Sequence, residues 1–186
     1  IYAVLATASP ALHAAEDVSI MAHAEGRAVQ VRAKATLRVP YELLWATLTD
    51  YGNLADFVPG MKVSRILERR GATVVVEQEG SARFLAFSHA IKVTVESIEQ
   101  PPSTIGIRVV KGNLKQLSGQ YEIEALAAPQ SGFVLRWVGV IEPALPVPGF
   151  IGAPLLRANV ADQFLGMVNE IERRYALQRW PLAEAN

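Results

Sequence analysis

The chain has 186 residues, 51% of them hydrophobic and 19% charged, with 18 basic side chains set against 18 acidic ones. That length suits one domain, the aliphatic content excludes a disordered or low-complexity chain, and zero net charge withholds the electrostatic footprint that nucleic-acid binding needs. The absence of Cys excludes disulfides, thiolate metal sites and cysteine nucleophiles together.

Ile1 to Ala8 is apolar and small, Pro10 interrupts it, and Ala14-Ala15 precede the polar Glu16 and Asp17. Small residues after an apolar run are what a signal peptidase prefers, so residues 1–15 read as the remnant of a secretory signal or an N-terminal arm, and 16–186 as a single domain. Export follows as an expectation, to a periplasmic or secreted location. No other uninterrupted apolar stretch reaches the roughly 20 residues of a membrane-spanning helix.

Val29, Val31, Ala33, Ala35, Leu37 and Val39 alternate with polar residues, the period of a strand with one buried face. Pro40 then opens a short helix carrying Leu44, Trp45 and Leu48, stopped by Asp50-Tyr51-Gly52-Asn53, and a second short turn of helix ends at Pro59-Gly60. Met61 to Leu67 is a weaker strand candidate. Further inner rows follow: Val74, Val76, Gln78, Gly80, Ala82 and Phe84; Ile91, Val93 and Val95; Ile105, Ile107 and Val109; Leu117, Gly119, Tyr121, Ile123 and Ala125; Phe133, Leu135, Trp137, Gly139 and Ile141. The turn residues between them are spaced as in an antiparallel meander. Pro143 to Leu156 carries no charge and is broken by Pro and Gly. From about Pro154 to Leu177, Leu156, Val160, Phe164, Met167, Ile171 and Tyr175 recur at three- and four-residue steps, which predicts the one long amphipathic helix.

The pattern predicts an α+β domain: a curved antiparallel sheet of about six to seven strands wrapped around a long C-terminal helix, with two short helices after the first strand. Strands spaced ~4.8 Å apart make such a sheet some 30 Å wide, while a helix spans only about 10–12 Å. The sheet must bend, and small residues on its inner rows, such as Ala33, Gly80, Gly119 and Gly139, leave space unfilled. An apolar cavity between sheet and helix is therefore expected.

The segments Trp45-Ala46-Thr47-Leu48-Thr49-Asp50-Tyr51, Phe57-Val58-Pro59-Gly60-Met61, Val76-Glu77-Gln78-Glu79-Gly80, Glu99-Gln100-Pro101-Pro102 and Ile171-Glu172-Arg173-Arg174 resemble the bacterial polyketide cyclase/dehydrase family. That family includes the coenzyme Q-binding proteins and belongs to the START-like, or SRPBCC helix-grip, superfamily. The resemblance spans about Gly26 to Tyr175. It implies a helix-grip fold whose cavity takes hydrophobic ligands such as lipids, quinones or polyketide-like molecules.

The residues themselves offer little chemistry. The three His, His13, His23 and His89, are scattered, and no metal-ligand spacing, phosphate loop or nucleophile elbow is present, so no metal, cofactor or catalytic residue is assigned. Glu77 and Glu79 alternate onto the outer face, and Asp50 reads as a turn residue. Gln78 is the exception: it is the one strongly polar side chain on an apolar inner row, and a buried amide without a partner costs about 1–3 kcal/mol. Either a backbone or water partner meets it, or a ligand does. Tyr121 and Trp137 are further polar points, with Val76, Phe84, Phe133, Phe164 and Met167 as the expected apolar lining. Phe57 and the uncharged segment carrying Leu145, Phe150 and Ile151 are placed at an entrance, with transient membrane contact as one use.

The function expected is binding or carriage of a hydrophobic small molecule or lipid without turnover. An aromatase/cyclase-type enzyme acting on a polyketide-like substrate in the same cavity is the first alternative. A protein-interaction module with a filled core is the second.

Overall fold

The computed structural model describes residues 15–84, 87–144 and 149–179, and for Arg83, Phe84, Phe87, Gly149 and Phe150 the backbone alone. The expectations for residues 1–14, for Leu145 and for the side chains of Phe84 and Phe150 lie outside the described residues. The elements run β1 (Ala15–Glu25), β2 (Ala28–Leu37), α1 (Tyr41–Leu48), α2 (Leu54–Phe57), β3 (Met61–Arg70), β4 (Thr73–Phe84), β5 (Phe87–Gln100), β6 (Thr104–Gly112), β7 (Leu114–Ala125), β8 (Phe133–Pro143) and α3 (Gly149–Arg179). All eight strands form one antiparallel sheet in the order β1-β2-β8-β7-β6-β5-β4-β3.

One strand exceeds the expected count. β1 lies at the sheet edge with most of its side chains exposed, so only Ile20, Ala22 and Ala24 mark an inner face, a signal too short to stand out. α3 also begins earlier than Pro154, which lies inside it.

Connectivity places the cavity. β2 and β3 are consecutive in the chain but stand near opposite ends of the sheet, so α1 and α2 must cross its concave side. Register shifts between Met61 and Val63, Ile66 and Glu68, Thr94 and Val95, and Leu114 and Gln116 add bulges that bend the strands. α3 lies across the concave face, packed chiefly against β1, β2 and α1, with smaller contacts to β4 and α2. Leu37, Leu44, Leu135, Phe164, Val168 and Ile171 close this half of the core with at most 2% of their surface exposed. The inner faces of β5, β6 and β7 stand off from the helix.

A polar tie anchors α3 to the α1 turn. Asp50 Oδ2 accepts a hydrogen bond from Arg174 Nη2 at 2.7 Å, while the buried Glu170 accepts from Arg173 Nε and Nη2 at 2.7 Å each and from Arg174 Nε at 2.6 Å. Hydrogen bonds from Arg173, and then from Arg174, hold the Glu170 carboxyl below its ordinary range against the opposing effect of burial. A carboxylate depressed in the folded state stabilises fully above its unfolded pKa of about 4.3, and that contribution is lost as pH falls through the folded value. Glu170→Gln is therefore expected to cost about 2 kcal/mol at pH 7. In urea melts from pH 7 down to pH 3 the difference from the parent protein should shrink on the acid side; a constant offset would show that the carboxylate charge is not what stabilises this junction.

Candidate ligand-binding cavity

The space between α3 and the stand-off strands holds two adjoining chambers of about 140 Å³ each. The deeper one runs from Leu48, Tyr51 and Leu54 at the α1–α2 crossing to Tyr121 and Trp137 on the sheet and Phe164 and Met167 on α3. The outer one lies between Gly60, Ala82, Ile91 and Val93 on one side and Leu156 and Val160 on α3. Met61, Gln78, Leu117, Ile141, Val160 and Gln163 line both. Gly60 and Gln163 are solvent-exposed as well as lining, so the hollow opens between them. For scale, an apolar cavity of roughly 150 Å³ accepts a benzene-sized guest.

Trp137 sets the depth of the inner chamber. A Cβ built on Gly139 would fall 2.5 Å from Cη2 and 2.7 Å from Cζ2 of the indole, and one on Gly119, paired across the strands with Gly139, 3.2 Å from Cζ2. The indole therefore lies down along its own strand over two residues without side chains, and the hollow begins above it.

The polar side chains of the deeper chamber carry no formal charge. Burial pushes the Tyr121 hydroxyl up to about 12 although the residue keeps accessible surface; that surface faces the chamber rather than bulk water. Burial, and then the charge of Glu99, likewise raises the Tyr51 hydroxyl, which has no hydrogen-bond partner of ordinary geometry and lies beside Ser97. Glu77 lies outside the hollow, paired with Arg65 at 2.6 Å, whereas Glu79, expected on the outer face beside it, lines the outer chamber and is paired there with Lys92. Among the described residues no group of His, Asp and Glu could hold a metal ion.

Gln78, Tyr121, Trp137, Phe164 and Met167 thus meet around one cavity. Two residues expected with them do not. Val76 is wholly enclosed by its neighbours, 0% exposed, and offers the chambers no surface. Phe133 sits at the start of β8, where its ring packs 5.9 Å from that of Tyr41 on α1. Phe57, expected at the entrance, lines neither chamber, and its ring lies under the Arg174 guanidinium, 5.3 Å from the centroid. Ile151, in the first turn of α3, is 36% exposed.

Sequence reasoning missed Tyr51, Met61, Ser97 and Gln163 as lining residues. Ser97 continues the alternation of Val93 and Val95 and could have been read from it. Tyr51 could not, because only the crossing of α1–α2 over the sheet carries it inward.

A family model described as polyketide cyclase / dehydrase and lipid transport matches residues 28–174. No curated protein matches the sequence. Among solved structures the fold is similar to that of a Thermus thermophilus protein, at 14% identity and TM-score 0.65 over 80% of this chain and 98% of that one. It is also similar to the Zhui aromatase/cyclase from a Streptomyces species, at 21% identity and TM-score 0.62 over 79% and 95%. A STAR-related lipid transfer protein from Xanthomonas axonopodis matches at 11% identity and TM-score 0.63 over 84% and 94%. With a curved sheet gripping a long C-terminal helix and a family match over most of its length, the chain belongs to the polyketide cyclase/dehydrase and lipid transport family.

Proposed function

We propose that the protein binds a hydrophobic small molecule, lipid, quinone or polyketide-like in kind, in the hollow between sheet and α3, and carries it unchanged. The observation that supports this most is the chemistry of the deeper chamber. Its titratable side chains are Tyr51 and Tyr121, both pushed upward by burial, so neither exchanges protons readily near neutral pH. Cyclase or dehydrase chemistry needs a group that moves protons at working pH. Binding needs only an apolar wall, a few oriented polar groups and a way in.

Native mass spectrometry of protein purified from its own host, followed by solvent extraction, tests the proposal. A bound mass that extraction removes is expected, and the extracted protein should then bind N-phenyl-1-naphthylamine with a rise in fluorescence. An unliganded mass together with no probe binding would overturn the reading. Conversion of the extracted compound on return to the protein would replace carriage with catalysis.

A further inference from the structure

We infer that the waist between the two chambers is a recognition site for an uncharged oxygen placed in the middle of the guest, a ketone, ester or ether-like group with an apolar arm on either side. The inference rests on the hydrophobic-guest reading and specifies what that guest must carry. Of the six residues shared by the chambers, four are apolar and two are amides, Gln78 on β4 and Gln163 on α3. The amides stand on opposite walls, one on the sheet and one on the helix. Gln78 is half-buried and Gln163 reaches solvent at the opening, so both amides are open to a guest that enters there.

Gln78 has no easy neighbour to satisfy it. The residue opposite it on β3 is Ser64, whose hydroxyl already donates to the Tyr51 carbonyl at 2.6 Å, and the residue opposite it on β5 is the apolar Val93. A guest that seats itself against these amides takes them out of water, so one that supplies an acceptor there avoids the cost of leaving an amide N–H unpaired. No charged side chain is among the shared residues and the one charged residue lining the outer chamber is the carboxylate Glu79, so a carboxylate at this point would be left uncompensated, whereas a neutral carbonyl can accept from an amide N–H. The chamber sizes match one ring on each side of that oxygen.

Benzophenone and diphenylmethane test this, because they place a ring on each side of a carbonyl or of a methylene in nearly the same shape. Calorimetric titration of the extracted full chain should show benzophenone bound more tightly by roughly tenfold, the size of one net hydrogen bond. Gln78→Leu and Gln163→Leu should each lower benzophenone affinity more than diphenylmethane affinity and so reduce that preference, a differential that a general loss of structure would not produce. Equal affinity of the parent protein for both compounds would overturn the central-oxygen assignment and leave the hydrophobic-guest reading intact. A preference that survives in both variants would overturn the assignment to these amides. Binding of neither compound by protein that still takes up N-phenyl-1-naphthylamine would overturn the inference alone, and loss of all three would overturn the reading beneath it as well. The parent-protein comparison decides the matter even if a variant fails to fold.

Discussion

Gly166→Ala is expected to destabilise the protein by about 1–3 kcal/mol, the cost of overpacking, although an ordinary helix interior would gain nearly 1 kcal/mol from the same exchange. Gly166 lies within α3. A Cβ there would fall 2.2 Å from Pro59 Cδ, 2.8 Å from the Phe57 carbonyl oxygen and 3.1 Å from Pro59 Cγ. None of these atoms is the far end of a flexible side chain: two belong to a fixed ring and one to backbone. The helix and the α2–β3 turn must therefore move apart. Because that turn borders the opening at Gly60, guest release should quicken as stability falls. Urea unfolding followed by tryptophan fluorescence reads the first effect, and the dissociation rate of N-phenyl-1-naphthylamine reads the second. A variant as stable as the parent or more so would mean that the close approach of α3 to Phe57–Pro59 is not a feature of the protein in solution.

Gly139→Ala should act on the other end of the hollow. The new methyl would occupy the place of the Trp137 indole edge, with the Ser118 carbonyl oxygen 3.0 Å away on the neighbouring strand. The rigid indole has to swing off the sheet, and the free volume above it is the deeper chamber. A cost of about 1–3 kcal/mol follows from the displacement, or a fall in Tm of roughly 2–12 °C for a chain of this size. Loss of the deeper chamber as a binding space should accompany it. Combining Gly139→Ala with Trp137→Phe removes the outer ring of the indole and should restore both stability and uptake of N-phenyl-1-naphthylamine. If Gly139→Ala alone binds the probe as the parent does, the indole does not set the depth of the cavity.

The bland alternative of a filled core fails on the same geometry. The inner faces of β5 to β7 stand away from α3, and residues that alternation places inward, among them Ile107, Leu117 and Tyr121, keep accessible surface. They do so because the helix leans toward β1, β2 and α1, so Leu37 and Leu135 are wholly buried while burial on β6 and β7 is uneven, Ile105 enclosed and Ile107, Leu117 and Tyr121 not. Alternation marks which face a residue points to, but both the enclosed Val76 and the lining Gln78 point the same way. Nothing in the β4 pattern separates them. What separates them is which part of the sheet α3 and the α1–α2 crossing happen to cover.

The sequence by itself determined the strands from their period of two, the long helix from its period of 3.6, and, through the mismatch of their widths, the need for a bent sheet with space beneath it. Those are local and geometric properties that any chain with this pattern must obey. Only the tertiary structure decided where the space lies, that Trp137 lies flat on two glycines, that Phe133 faces Tyr41 rather than the hollow, and that Gln163 comes to stand across from Gln78. Each of these depends on how the helix is set across the sheet and on pairings between residues far apart in the chain, and hydrophobic periodicity carries no information about either.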